Sequence, residues 1–128
     1  MEDTNTNESA EDYLERILML QEEGNTNVHA IDIANSMHFS KASVSIALKK
    51  LENEGYVTVG PKQVLNLTPS GMAIAKEVYD RHQILHQLFV LLGVDDATAC
   101  EDACKVEHDL SASTFKALKK LYEEKTGK

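Results

Sequence analysis

Residues 40–68 read SKASVSIALKKLENEGYVTVGPKQVLNLT, and this stretch decides the fold. Its first half predicts a helix from Ser40, a good N-cap, to Asn53. Its apolar residues recur with a helical period on one face: Val44, Ala47, Leu48 and Leu51. The period then changes to two, because residues 56–59 and 64–68 alternate on either side of a turn that contains glycine and proline. The second half therefore predicts a short β-hairpin.

Further helices are expected on both sides of this stretch. Their predicted bounds are about 9–23, 28–37, 69–92 and 95–110, and a last helix follows Ser111. The residues expected to cap or begin these helices are Ser9 (with Asp12 completing a capping box), Ser70, Asp95 or Asp96, and Ser111.

Two helices joined by a tight connection and followed by a hairpin are typical of a winged helix-turn-helix. The expected fold class is mainly α. A winged helix-turn-helix with a two-stranded wing would occupy residues 1–71, and an all-helical half would occupy residues 72–128. Winged helices also serve as protein-binding modules, so the order of elements favours DNA binding without deciding it.

The charge distribution restricts where DNA could bind. The net charge is −8, but residues 1–24 carry −7, residues 25–69 carry +1 and residues 70–128 carry −2. The middle third is the only part that phosphate does not repel. An acidic protein that binds DNA needs a local basic face or bound cations. The chain has neither an apolar run of about 20 residues, as a membrane span needs, nor a secretory signal, so we expect a cytoplasmic protein.

Residues 100–108, CEDACKVEH, hold a group of side chains that could bind a metal ion. On a helix, four potential ligands fall within a sector about 100° wide: Cys100, Cys104, Glu107 and His108. A thiolate, a carboxylate and an imidazole that converge on one point suit a transition metal. The alternative is a polar helix flank with one half-buried cysteine. The two cysteines are then either inert apolar residues or thiols with a function.

Three residues elsewhere favour the metal site. Asp12 and Glu15 lie three apart on the first helix, although acids there could simply complement the helix dipole. His82 lies on the inward line of the long helix, where a histidine is more often a core residue with a satisfied hydrogen bond. Together with residues 100–108, these features point to one cavity.

Three motifs carry a resemblance to a known family: SAEDYLE at residues 9–15, DRH at 80–82 and CKVEHDLS at 104–111. Across nearly the whole chain they are similar in order and spacing to the diphtheria toxin repressor and manganese transport regulator family. The resemblance implies a winged-helix homodimer, not an enzyme, that binds double-stranded operator DNA when Mn²⁺ or Fe²⁺ is present and represses metal uptake genes. The helical half would then bind metal and dimerise. No membrane or small organic ligand is expected as a partner, and the length resembles the short members without an SH3-like domain.

The resemblance also implies a hybrid ligand set. Five residues match ligands of the manganese branch by position: Asp12, Glu15, His82, Glu107 and His108. Cys104 instead matches the iron branch, and His86 with Cys100 fall where that branch has ancillary ligands, which implies a second site. Thiolate favours Fe²⁺, Co²⁺, Ni²⁺ or Zn²⁺, whereas the carboxylates suit Mn²⁺, so the choice of metal stays open.

The DNA contacts are expected at the exposed start of the third helix and in the wing. The candidates are Lys41, Ala42, Ser43, Ser45, Lys49, Lys62 and Thr68. Each lysine could equally be a solvated surface residue. A thiol-based redox regulator is an alternative function, but it leaves Asp12, Glu15 and His82 without a role. A metallohydrolase would need an open coordination position and a substrate cleft, and no motif in the sequence supports one.

Overall fold

A computed structural model of the chain describes residues 2–127, with side chains from Ser9 onward. Six α-helices and one hairpin follow one another in the described range, together with a single 3₁₀ turn at Pro61–Gln63. In chain order they are α1 (Glu2–Glu22), α2 (Ala30–Met37), α3 (Lys41–Asn53), β1 (Val57–Val59), β2 (Leu65–Leu67), α4 (Pro69–Leu91), α5 (Asp96–Val106) and α6 (Ala112–Thr126). The predicted fold class, mainly α with a two-stranded wing, is confirmed.

The chain divides into two compact units, and the division falls within α4, between Glu77 and Val78. The boundary expected at residues 71 and 72 lies at the start of the same helix. In the first unit, α1 packs on α2, α3 and β2. Its core consists of the apolar faces of these elements and includes Leu14, Ile17, Val28, Ile33, Val44, Leu48, Leu51, Val57 and Leu65.

The hairpin forms the predicted wing. β1 and β2 are antiparallel, with Val57 opposite Leu67 and Val59 opposite Leu65. Lys62 and Gln63 at its turn have positive φ angles of 61° and 62°. The imidazole Nε2 of His29 lies 3.1 Å from the carbonyl oxygen of Lys62, so a contact from the start of α2 holds this unusual backbone in place.

The start of α4 differs from the prediction in its cap. Thr68, not Ser70, is the N-cap, because the Thr68 hydroxyl accepts a hydrogen bond from the Gly71 backbone N–H at 3.1 Å. It also donates to the carbonyl oxygen of Gly55 at 2.6 Å. Because Gly55 lies just after α3, this hydrogen bond connects the end of α3 to the start of α4. Pro69 follows as the first helical residue, where its missing N–H costs nothing.

Helix α1 begins at Glu2, so the prediction that Ser9 caps it was wrong. Ser9 and Asp12 lie inside the helix, since residues 2–8 contain no proline or glycine to interrupt it. Asp12 is therefore outside the first turn, and the interpretation that it only complements the helix dipole fails. Helix α2 begins two residues later than predicted, and Asp32 Oδ2 accepts from the His29 backbone N–H at 2.9 Å.

The second unit contains the rest of α4 with α5 and α6. Asp95 and Ser111 are the N-caps of α5 and α6, as predicted. The backbone N–H of Thr98 lowers the pKa of the Asp95 carboxyl below its ordinary value of 3.8. Helix α5 ends at Val106 rather than near Leu110, which places His108 in the turn after the helix. Within the described range, no helix combines the length and apolar character that crossing a bilayer requires.

Candidate functional site

His82 occupies the centre of a polar cluster in the second unit. Its side chain is buried, with 8% of the residue exposed. Its Nδ1 lies 3.2 Å from Glu107 Oε2, and its Nε2 lies 3.6 Å from Cys100 Sγ. The two ring nitrogens therefore face two different groups that can also bind a metal ion, one carboxylate and one thiol.

Glu107 is the most deeply buried acid of the described residues, with 1% of its surface exposed. A second imidazole approaches it, because His108 Nε2 lies 3.3 Å from Glu107 Oε1. Burial of a carboxylate is costly unless positive groups or hydrogen-bond donors surround it. Two imidazoles and a carboxylate at these distances can hold either protons or a divalent cation.

Arg81 fixes the backbone that carries Glu107 and His108. Its guanidinium donates to the carbonyl oxygens of Glu107 at 3.2 Å and Leu110 at 3.4 Å. The same group lies 5.0 Å from the ring centre of Phe115 on α6. Arg81 thus links three segments of the second unit around the turn after α5.

A second group of potential ligand atoms adjoins the group formed by His82, Glu107 and His108, and His82 is common to both. One atom each from His82, His86 and Cys100 lies within 4.8 Å of the others. The His86 Nε2 also lies 2.9 Å from Asp96 Oδ1, and a carboxylate in this position orients an imidazole for metal binding. Two imidazoles and one thiol are a donor set that fits borderline ions such as Fe²⁺, Co²⁺ or Zn²⁺.

The other predicted ligands have different surroundings. Cys104 is exposed, as Cys100 also is, but it lies outside the His82–His86–Cys100 group. Helix α5 ends at Val106, so Cys100 and Cys104 lie within the helix, whereas Glu107 and His108 lie in the turn after it and not on the single helix that the one-sector prediction assumed. In the first unit, Asp12 and Glu15 lie one turn apart on α1, and Glu15 is buried whereas Asp12 is half-buried. Burial raises the pKa of the Tyr13 phenol, and the charge of Asp12 raises it further.

The predicted DNA contacts lie mostly on an exposed face of α3. Five of them are exposed there: Lys41, Ala42, Ser43, Ser45 and Lys49. The Ser43 hydroxyl accepts from Ser40 Oγ at 2.9 Å, so the helix cap orients it. Lys62 is exposed on the wing. Thr68 differs from these residues because its hydroxyl is engaged in capping α4.

Two residues with a place in these sites were missed by the sequence interpretation. Arg81 was noted only as part of a motif, because its carbonyl partners are 26 and 29 residues away and no local pattern reveals them. Ile46 was not among the predicted DNA contacts, although it is exposed on α3 beside them. A signal for Ile46 was present, since an isoleucine two residues after the buried Val44 falls on the opposite side of a helix.

Comparison with known proteins shows the family to which the chain is related. Residues 5–65 match the model of the iron dependent repressor N-terminal DNA binding domain. Residues 68–126 match the iron dependent repressor metal binding and dimerisation domain. An uncharacterised HTH-type transcriptional regulator of Methanocaldococcus jannaschii is 37% identical over 117 residues, which are 91% of this chain and 94% of the relative. The HTH-type transcriptional regulator MntR of Bacillus subtilis is 33% identical over 119 residues, 92% of this chain and 82% of that protein.

Solved structures show the same fold. A manganese-dependent transcriptional repressor in complex with manganese superposes with a TM-score of 0.80 at 26% identity, over 88% of this chain and 52% of that one. The manganese regulator SloR gives 0.75 at 29% identity, again over 88% and 52%. The chain thus spans about half the length of these solved structures. By the two domain models and these relatives, the chain belongs to the iron-dependent repressor family and is a metal-dependent transcriptional repressor, not an enzyme.

Proposed function

We propose that this chain is a homodimeric, cytoplasmic repressor that binds double-stranded operator DNA when Mn²⁺ or Fe²⁺ is bound, and that it controls metal uptake genes. The observation that carries the proposal is the environment of His82, whose two ring nitrogens face Glu107 and Cys100 in the unit that matches a metal binding and dimerisation domain. The relatives named above as manganese regulators support manganese as one candidate. No membrane or small organic ligand takes part in this proposal.

We assign the ligands in two groups. The first, by family resemblance, comprises Asp12, Glu15, His82, Cys104, Glu107 and His108. The second comprises His82, His86 and Cys100, whose ligand atoms lie together in the second unit. His82 belongs to both groups because its two nitrogens face in different directions.

The proposed metal supplies positive charge to a set of residues that is rich in carboxylates. It would lower the net negative charge that opposes the approach of DNA. Metal can favour the arrangement of the chain that binds DNA only to the extent that it binds this arrangement more tightly than the arrangement that does not bind DNA. The effect equals the difference between these two metal affinities. Glu107 is central to this difference, because a buried carboxylate gains more from a cation than an exposed one does. Co²⁺, Ni²⁺ or Zn²⁺ could replace Mn²⁺ or Fe²⁺ at these donors.

For DNA binding we propose residues 1–71, with residues 72–128 as the metal-binding and dimerisation domain. The proposed contacts are Lys41, Ala42, Ser43, Ser45, Lys49, Lys62 and Thr68. The support is that the α3 and wing members of this set are exposed within residues 25–69, whose charges sum to +1, whereas residues 1–24 and 70–128 sum to −7 and −2. The two recognition helices of a dimer would read half-sites about one helical turn apart, ~34 Å or a multiple of it.

The test measures DNA affinity with and without metal. The full chain would first select its preferred site from random duplex DNA. Affinity for that site would then be measured by fluorescence anisotropy at matched salt, in chelator and in Mn²⁺, anaerobic Fe²⁺, Co²⁺ or Zn²⁺. We expect at least tenfold tighter binding with one of these metals. Glu107→Gln should abolish this gain, whereas Glu101→Gln, which changes an exposed acid on α5, should retain it. Equal affinity in chelator and in every saturating metal would contradict the proposal.

A further inference from the structure

Ile46 is the most exposed large apolar residue in the described part of the chain, with 73% of its surface accessible. It lies in the middle of α3, whose inward face is formed by Val44, Leu48 and Leu51. Ile46 follows Val44 by two residues, about 200° around the helix, and therefore points away from the core. A single exposed apolar residue needs no explanation by itself, so its surroundings decide what it means.

The surroundings of Ile46 are basic and free of acids. Ala42 and Ser43 lie one turn before it and Lys49 and Lys50 one turn after it, and all four are exposed. From Lys41 to Leu51 the sequence contains three lysines and no acid, although the whole chain has a net charge of −8. This face is therefore complementary to a polyanion such as duplex DNA.

Helix propensity does not account for isoleucine at this position. A β-branched side chain is a poorer helix former than the lysine, glutamate or glutamine that usually occupies exposed helical sites. Isoleucine cannot form a hydrogen bond with a phosphate or with a polar base edge. In the major groove, the apolar group that a base presents to a helix is the 5-methyl group of thymine.

We propose that Ile46 is a specificity-determining residue that selects thymine at one position of each operator half-site by packing on its 5-methyl group. This inference depends on the proposed operator binding and extends it to one base and one side chain. Residues on the same face that can contact phosphates, such as Lys49, would position the helix without selecting this base.

The test removes the methyl group from DNA and the side chain from the protein, separately and together. After site selection with Mn²⁺ and the full chain, each conserved thymine of the selected site is replaced by deoxyuridine, which keeps every hydrogen-bonding group. Affinities are measured at one salt concentration for wild type, Ile46→Ala and a control, Ile31→Ala, which shortens an exposed isoleucine of α2. Circular dichroism confirms that each variant is folded.

We expect uracil at one thymine position to weaken wild-type binding by roughly fourfold per half-site, the value of one buried methyl group. Ile46→Ala should bind the thymine and uracil sites equally, and Ile31→Ala should behave like wild type. If Ile46→Ala discriminates between the two bases as well as wild type does, the inference is wrong. It is also wrong if Ile46→Ala changes only the oligomeric state in sedimentation. A wild-type chain that shows no metal-dependent DNA binding contradicts the proposed function instead, so the two failures are distinguishable.

Discussion

The guanidinium of Arg81 donates a hydrogen bond to the backbone carbonyl oxygen of Glu107, with 3.2 Å between the two atoms. This contact joins a residue next to His82 on α4 to the backbone of a buried acid at the end of α5. The side chains of Glu107 and His82 are themselves 3.2 Å apart. Arg81 is therefore a positioning residue, which holds in register two side chains that the proposed metal would need together.

The first prediction concerns this contact. Arg81→Ala should lower metal affinity by about 10- to 100-fold, the usual effect of removing a partner that orients metal ligands. Arg81→Lys should not restore it, because the lysine side chain is shorter and its ammonium group cannot lie flat over the Phe115 ring as the guanidinium does while its Nη1 donates to both carbonyl oxygens. Calorimetric titration with Mn²⁺ and Co²⁺ measures the effect, and Lys76→Ala, an exposed cation on the same helix, is the control. Unchanged affinity in a folded Arg81→Ala protein would show that the turn after α5 keeps its shape without it.

The second prediction separates the two cysteines. With Co²⁺, a bound thiolate gives an intense charge-transfer band in the near ultraviolet. We expect Cys100→Ser and His86→Ala to lose the same part of this band and to reduce binding from about two ions per chain to about one, because their ligand atoms lie together. Cys104→Ser should lose the remaining part, and Cys104→Glu should shift preference towards Mn²⁺. If the Cys100 and His86 variants match wild type in both measurements, their group does not bind metal.

The third prediction tests the start of α4. A methyl group at Gly71 would meet the carbonyl oxygen of Tyr56 and would lie 2.9 Å from its carbonyl carbon. Because the obstacle is backbone, Gly71→Ala should reduce the free energy of unfolding by about 1–3 kcal/mol, as overpacking does. Gly60→Ala is the matched control, since its methyl group would lie 3.8 Å from its nearest neighbour, the backbone carbonyl oxygen of Val64. Urea denaturation measures the free energy of unfolding of both variants. Equal values for Gly71→Ala and Gly60→Ala would show that the start of α4 shifts to accommodate the methyl group at no cost in stability.

The fourth prediction concerns pH and the cap of α5. The pKa of the Asp95 carboxyl is lowered in the folded chain, chiefly by the Thr98 backbone N–H. Its charged form therefore stabilises the fold above the unfolded pKa, near 3.8, and this contribution is lost as pH falls through the lower folded pKa. Asp95→Asn keeps a capping group but does not titrate. The stability advantage of wild type over Asp95→Asn should thus shrink as the pH falls below about 4. A difference that is constant from pH 7 to pH 3 in thermal unfolding would contradict this assignment.

The helices and the wing could be predicted because their signals are local. Ser40 and Ser111 precede helical periods and cap them, and the change from period 3.6 to period 2 marks the hairpin at residues 56–68. The local signals were insufficient where two capping residues compete. Thr68 and Ser70 are both good caps, and only the structure shows that the Gly71 backbone N–H donates to the Thr68 hydroxyl, which makes Thr68 the cap.

The amino-acid sequence by itself determined the donor types, because a thiol, an imidazole and a carboxylate are chemical identities that no fold can change. It also determined that the segment from Lys41 to Leu51 is basic and free of acids. Only the tertiary structure decided that His82 faces both Glu107 and Cys100 and that His86 lies in the same group of ligand atoms as His82 and Cys100. The reason is physical: helical spacing sets the direction of a side chain on its own helix, but the distance between atoms on α4 and α5 depends on how the two helices pack.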